Sequence, residues 1–163
     1  MARPSHIHVR PLELGDFEFV RDLASRQAGF TIPPVYVLWL LLRIEGSVCL
    51  AAEHSAKGLL AYLLAVPVAG PQKSLFIWQL AASGGTKAMS EILNRLREVV
   101  FELSIEKVLF STVFNSPTYR LIRRYAWRLA SIIPERLNPL PAAIDDKETE
   151  FLLTVKPFHT KRL

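Results

Sequence analysis

The sequence predicts a mixed α/β fold, a mixed sheet of six to seven strands with helices on both faces. Three observations carry that prediction: the order of strand-like and helix-like segments, a length of 163 residues, and a composition that is 50% hydrophobic. Such a length suits one domain, and residues 1–163 are expected to form one. With only 21% charged residues, the chain can bury enough apolar surface to offset its conformational entropy, which excludes a disordered or linker-type protein.

Taken in order, Ile7 to Leu14 (IHVRPLEL) alternates as an edge strand does and runs into Gly15-Asp16, a helix start. Phe17, Val20, Leu23 and Ala24 then recur at helical spacing, in a helix expected to stop near Gly29. Pro33-Pro34 and Gly46 bracket VYVLWLLLRIEG, a short and very apolar helix expected to be buried on most sides. The β-rich SVCLAAE, residues 47–53, and the run GLLAYLLAVP from Gly58 read as an antiparallel hairpin with a loop of about five residues, HSAKG. A third strand, SLFIWQLAAS at 74–83, ends in Gly84-Gly85-Thr86-Lys87.

From Ala88, the apolar residues Ile92, Leu96, Val99, Val100 and Leu103 mark one face of the clearest helix in the chain. KVLFSTVF, 107–114, is the next strand, and Asn115-Ser116-Pro117 opens a basic helix to about Arg124, with Asn or Ser as cap and Pro in the first turn. WRLASII at 127–133 and TEFLLTVKP at 149–157 are the last two strands, separated by a proline-rich excursion from Pro134 to Pro141. The order β-α-α-β-β-β-α-β-α-β-β combines hairpins with two crossovers, hence the mixed sheet.

A net charge of +5 turns the partners toward anions, and the sign alone does not choose between nucleic acid, acidic lipid and a phosphorylated cofactor. The positive residues are scattered except for Arg120, Arg123, Arg124 and Arg128, and a nucleic-acid reading rests on these and the charge only. One cysteine, Cys49, and four histidines exclude a disulfide framework within the chain and a cysteine-rich zinc module. No His and carboxylate spacing suggests a metal, and Cys49 reads as a small buried hydrophobe. The N-terminus lacks the apolar core of a signal peptide, and the runs Val35 to Leu42 and Gly58 to Gly70 fall short of the ~20 residues that span a bilayer. A reducing, cytoplasmic setting without a membrane partner is therefore expected.

The segment FIWQLAASGGTKAM, 76–89, joins a strand to a helix through a glycine pair. Unpaired N–H groups and the positive end of the helix point into such a junction, glycine permits close approach, and Lys87 adds a charge, which together make an anion-binding arrangement. Neither a Walker loop nor a dinucleotide fingerprint is present.

The order of elements, with SLFIWQLAASGGTKAMSEIL and STVFNSPTYRLIRRYAW, resembles the GCN5-related N-acetyltransferases from about Ile7 to Val155. FIWQLA is also similar to the corresponding strand of the diaminobutyrate acetyltransferase branch. Asn115, Thr118, Leu121, Ala126 and Trp127 match the family's second motif, while Gly84, Lys87 and Met89 stand at the three positions of its glycine motif, where the bulk of Met89 is expected to hinder phosphate.

The resemblance implies acetyl-CoA as cosubstrate, no metal, and direct transfer to a primary amine of a small-molecule or amino-acid-like acceptor. Cofactor contacts would come from Leu80, Ala81, Ala82, Gly84, Gly85, Thr86, Lys87, Ala88, Met89 and Asn115. The family's acidic tyrosine falls at Ile122, with Tyr119 and Tyr125 one turn away as substitutes. Glu53 or His54 would take the proton of the ammonium, and Tyr36, Trp39 and Trp78 would line the acceptor pocket. A homodimer is compatible with this reading, and so is a relative whose altered glycine loop serves only ligand or protein binding.

Overall fold

The computed structural model describes residues 6–27, 29–83, 85–125, 134–139 and 147–155. Its strands are β1 (Ile7–Pro11), β2 (Val48–His54), β3 (Gly58–Val68), β4 (Ser74–Ala82), β5 (Lys107–Val113), β6 (Glu135–Pro139) and β7 (Glu148–Thr154). Its helices are α1 (Phe17–Ser25), α2 (Val35–Leu41), α3 (Thr86–Glu102) and α4 (Pro117–Tyr125), with a 3-10 turn at Leu14–Asp16. One seven-stranded mixed sheet has the order β1-β2-β3-β4-β5-β7-β6. The chain divides into two compact units, Met1–Pro67 with Ile77–Leu96, and Val68–Phe76 with Arg97–Leu163.

In the first unit, β1 pairs antiparallel with β2 from Ile7 opposite His54 to Pro11 opposite Leu50. β2 pairs antiparallel with β3, with a bulge between Ala52 and Glu53. Alternation gives β2 two buried faces. Ala51 joins Tyr62, Leu64 and Ala81 in a core closed by Val20, Leu23 and Ala24 of α1 and Leu38 and Leu41 of α2. Val48, Leu50 and Ala52, on the opposite face, are buried as well. The hairpin loop is three residues, Ser55–Lys57, rather than five, because His54 and Gly58 still pair and Gly58 takes a φ of 74°.

Two further expectations change here. α1 stops at Ser25, before Gly29. α2 ends at Leu41, and it is not buried on most sides: Leu38 and Leu41 face the core while Val35, Tyr36 and Leu40 are exposed. A two-turn helix docks one stripe, whatever the hydrophobicity of its other face.

In the second unit, β5 and β7 run antiparallel from Lys107 opposite Thr154 to Val113 opposite Glu148. Phe110 and Phe151 stack with ring centroids 5.3 Å apart, and Tyr119 of α4 lies 4.8 Å from Phe151. The Ser116 hydroxyl accepts from the Tyr119 N–H at 3.1 Å, so Ser116 is the cap of α4 and Pro117 its first residue. The carbonyl of Lys73 accepts from the N–H groups of Glu106 at 2.8 Å and Lys107 at 3.2 Å.

β6 lies inside the proline-rich stretch read above as an irregular excursion. Only Glu135, Arg136 and Pro139 are registered against β7, and four of its five residues are exposed, so no alternation marks it. Proline is tolerated because β6 is an edge among the described strands. The expected strand at 127–133 lies outside the described residues.

Candidate functional site

β4 delivers the chain to the glycine junction. Leu80 and Ala81 are buried and Ala82 half-buried, and the Ser83 N–H bonds the Leu60 carbonyl at 2.7 Å. Gly84 lies outside the described residues. Gly85 takes a φ of 124°, which L side chains rarely adopt, and a Cβ built on it would meet nothing within 4 Å. α3 begins at Thr86 rather than Ala88, so the first-turn N–H groups, those of Thr86, Lys87 and Ala88, follow Gly85 directly. Gly85, Thr86 and Lys87 are exposed.

Met89 is 9% exposed and packs inward, as does Ala88. At the start of α3 the Met89 side chain belongs to the buried face. The open space at Gly85 and the exposed helix start are compatible with an anion.

Glu53 does not stand free at the end of β2. Its Oε2 accepts from Arg10 Nε at 3.1 Å. The other two guanidinium nitrogens of Arg10 donate to the two oxygens of Asp16, each at 2.9 Å. Burial would raise the Asp16 pKa, but hydrogen bonds from Arg10 and the Glu13 N–H outweigh it and hold the carboxyl below its ordinary value. The imidazole of His54 accepts from the Ala56 N–H through Nδ1 at 3.0 Å, which ties it to the hairpin turn.

Of the three aromatic residues expected around the acceptor, Tyr36 and Trp39 touch each other on α2, with centroids 5.6 Å apart and planes 18° apart. The Arg43 guanidinium lies 4.2 Å from the Trp39 ring centre. Trp78 of β4 packs against the core of the first unit. In the second unit, Asn115 holds a φ of 60° at the entry to α4, Tyr119 is buried against Phe114 and Phe151, and Tyr125 ends the helix half-buried. Ile122 is buried, while Arg120, Arg123 and Arg124 are exposed on the outer face of α4.

Sequence reasoning missed Gln79, a buried amide inside an apolar strand. Its Nε2 donates to the Thr31 carbonyl at 2.6 Å and its Oε1 accepts from the Tyr62 phenol at 3.0 Å. The available signal was a lone glutamine in FIWQLA, which an alternation pattern absorbs as one polar position. Cys49 is half-buried, and burial pushes its thiol up to about 11, so it is no thiolate nucleophile at neutral pH.

Among the described residues, no group of three or more His, Cys, Asp or Glu is placed to hold a metal ion. Also among them, no helix is long and apolar enough to cross a membrane.

No protein-family model and no curated protein matches the sequence. Solved structures do match. The diaminobutyrate acetyltransferase of Paenibacillus lautus, in complex with L-2,4-diaminobutyric acid and coenzyme A, superposes with a TM-score of 0.73 at 17% identity over 93% of this chain and 96% of that one. Ard1 of Thermoplasma volcanium gives 0.71 at 12% identity over 93% and 99%. A point mutant of the Vibrio cholerae spermidine N-acetyltransferase gives 0.68 at 13% identity over 91% and 93%. The chain has the fold of the GCN5-related N-acetyltransferases.

Proposed function

We propose that the chain is an acetyl-CoA-dependent N-acetyltransferase that acts by direct transfer on a primary amine of a small-molecule or amino-acid-like acceptor, in the cytoplasm and without a metal. One observation carries the proposal: the exposed junction at Gly85, where open space and the N–H groups of an emerging helix meet at the end of β4. Acetyl-CoA supplies an activated acetyl group, whose bond to sulfur breaks as the amine nitrogen bonds its carbonyl carbon.

The chain's own residues then have separate tasks. Backbone groups of Leu80, Ala81 and Ala82 align the pantetheine arm, and those of Gly84 to Met89, with Asn115, receive the pyrophosphate region. Lys87 and the exposed arginines of α4 add positive charge suited to several phosphates. An alkylammonium of pKa about 10 is mostly protonated at neutral pH, so a base is required. Glu53 takes that proton directly or through water, with Arg10 fixing one carboxylate oxygen. Tyr119 or Tyr125 gives a proton to the departing thiolate, and Tyr36, Trp39 and Trp78 face the acceptor.

A second reading keeps the fold as a ligand-binding or protein-interaction module. Buried Ile122 favours it, since an aliphatic side chain stands where the resemblance calls for a tyrosine. Calorimetric titration with acetyl-CoA, followed by thiol release across an amine panel, tests both. Saturable binding with amine-dependent release supports the enzyme; binding without release supports the module; no binding removes the cofactor reading.

A further inference from the structure

Gln79 is 4% exposed on β4, and both ends of its amide are engaged. A carbonyl oxygen only accepts, so the Thr31 carbonyl, 2.6 Å away, sets Nε2 toward itself and Oε1 toward Tyr62. The phenol then has to donate, at 3.0 Å, and burial keeps it protonated by pushing its pKa up. The amide therefore has one orientation, with a donor aimed at the backbone of Thr31.

Thr31 belongs to residues 30–34, which have no helix or strand of their own. Pro33 and Pro34 lack N–H groups, and the Phe30 N–H turns back to the Gln27 carbonyl at 3.3 Å. Among the described residues, the Gln79 bond is the one hydrogen bond that ties residues 30–33 to the sheet. Phe30 packs against the core and Pro33 is buried, while Thr31 and Ile32 between them are exposed. Along β4, Leu80 follows Gln79 directly and Ala82 lies three residues on, about 10 Å away. The exposed pair is thus held beside the strand that leads to Gly85.

We infer that Gln79 is a positioning residue: it holds Thr31 and Ile32 in a fixed place beside the end of β4, where they form one wall of the acceptor's approach. The inference rests on the reading above that Leu80, Ala81 and Ala82 align acetyl-CoA, and it adds a residue that touches neither substrate. A wall that moves leaves only a fraction of the protein ready for the amine, and apparent amine affinity falls by that fraction while the chemistry of the bound complex is kept.

Gln79→Leu and Tyr62→Phe, measured side by side, test this. Gln79→Leu removes the bond to Thr31, whereas Tyr62→Phe leaves it and weakens only the other end of the amide. In Gln79→Leu, the NMR order parameters of the Thr31 and Ile32 N–H groups are expected to fall from about 0.85 to below about 0.6. With spermidine, L-2,4-diaminobutyrate and phenethylamine as the acceptors tried at saturating acetyl-CoA, the amine KM is expected to rise about tenfold, with kcat and acetyl-CoA affinity within about twofold of wild type. In Tyr62→Phe, the order parameters and the amine KM stay near wild type. Unchanged order parameters in Gln79→Leu, an unchanged amine KM, or an equal rise of KM in Tyr62→Phe would each overturn the inference. A wild type that binds no acetyl-CoA, or releases no thiol with any of the three amines, would overturn the acetyltransferase reading and the acceptor wall with it, a case told apart by order parameters that still fall in Gln79→Leu.

Discussion

Arg10 holds Asp16 through two parallel hydrogen bonds of 2.9 Å, fork against fork, joining strand β1 to the turn that starts α1. Asp16 is nearly buried, and the same guanidinium reaches Glu53 of β2. The pair therefore fastens three segments, and its removal leaves Arg10 with a partly buried charge. Asp16→Asn is expected to cost about 1–3 kcal/mol in urea unfolding at pH 7. Because the folded-state pKa of Asp16 is lowered, this contribution is fully present above the ordinary value of 3.8 and fades as pH falls through the folded value. Wild type and variant should converge only in that acid range, and a gap that closes between pH 7 and 5 would contradict the assignment.

The Tyr62–Gln79–Thr31 relay fixes the segment before α2 to the middle strands. Tyr62→Phe leaves the Gln79 carbonyl unpaired in a buried site and should cost about 1–2 kcal/mol, while Gln79→Ala orphans both partners and should cost more. Burial pushes the Tyr62 phenol up, so its ionisation should need more alkali in the native protein than in the unfolded chain, as spectrophotometric titration would show. Equal melting temperatures for the three proteins would show the relay to be energetically idle.

Gly85→Val puts a β-branched residue at a φ of 124° and fills the open space of the junction. Acetyl-CoA affinity should fall about tenfold or more, further than for Asn115→Ala. Asn115 itself sits at a φ of 60°, so Asn115→Ala should lose about 1 kcal/mol of stability that Asn115→Gly retains. Unchanged acetyl-CoA affinity in a folded Gly85→Val protein would remove the junction from the phosphate site.

Cys49 offers a pH test of burial. With its thiol pushed up to about 11, roughly one molecule in several thousand carries a thiolate at pH 7.5. A thiol reagent should react slowly there, with a rate rising about tenfold per pH unit through pH 10. Fast labelling at neutral pH would mean that the strand opens around it.

Most of the fold was legible from periodicity, because β2 to β5 and α3 bury long regular faces. What escaped was set by neighbours. The apolar α2 looked like a core helix, yet two turns present one stripe to Ala51 and Tyr62, and Tyr36 is left outside. β6 is made a strand by β7, through three registered residues in a segment whose prolines and polar side chains argue for a loop. At the candidate site, the glycine junction was readable from composition. The engagement of Glu53 by Arg10 was not, since the two are 43 residues apart and meet only through β1–β2 pairing. Met89 turns inward because it stands three and four residues before the buried Ile92 and Leu93, on the core face of α3.

The two outermost strands have a shared consequence. β1 and β6 are five residues each, both end in proline, and both carry charged residues, Arg10 on one and Glu135 and Arg136 on the other. Short, charged, proline-terminated margins are poor templates for an incoming strand. Among the described strands, both margins of the sheet are thereby guarded against growth by strand addition.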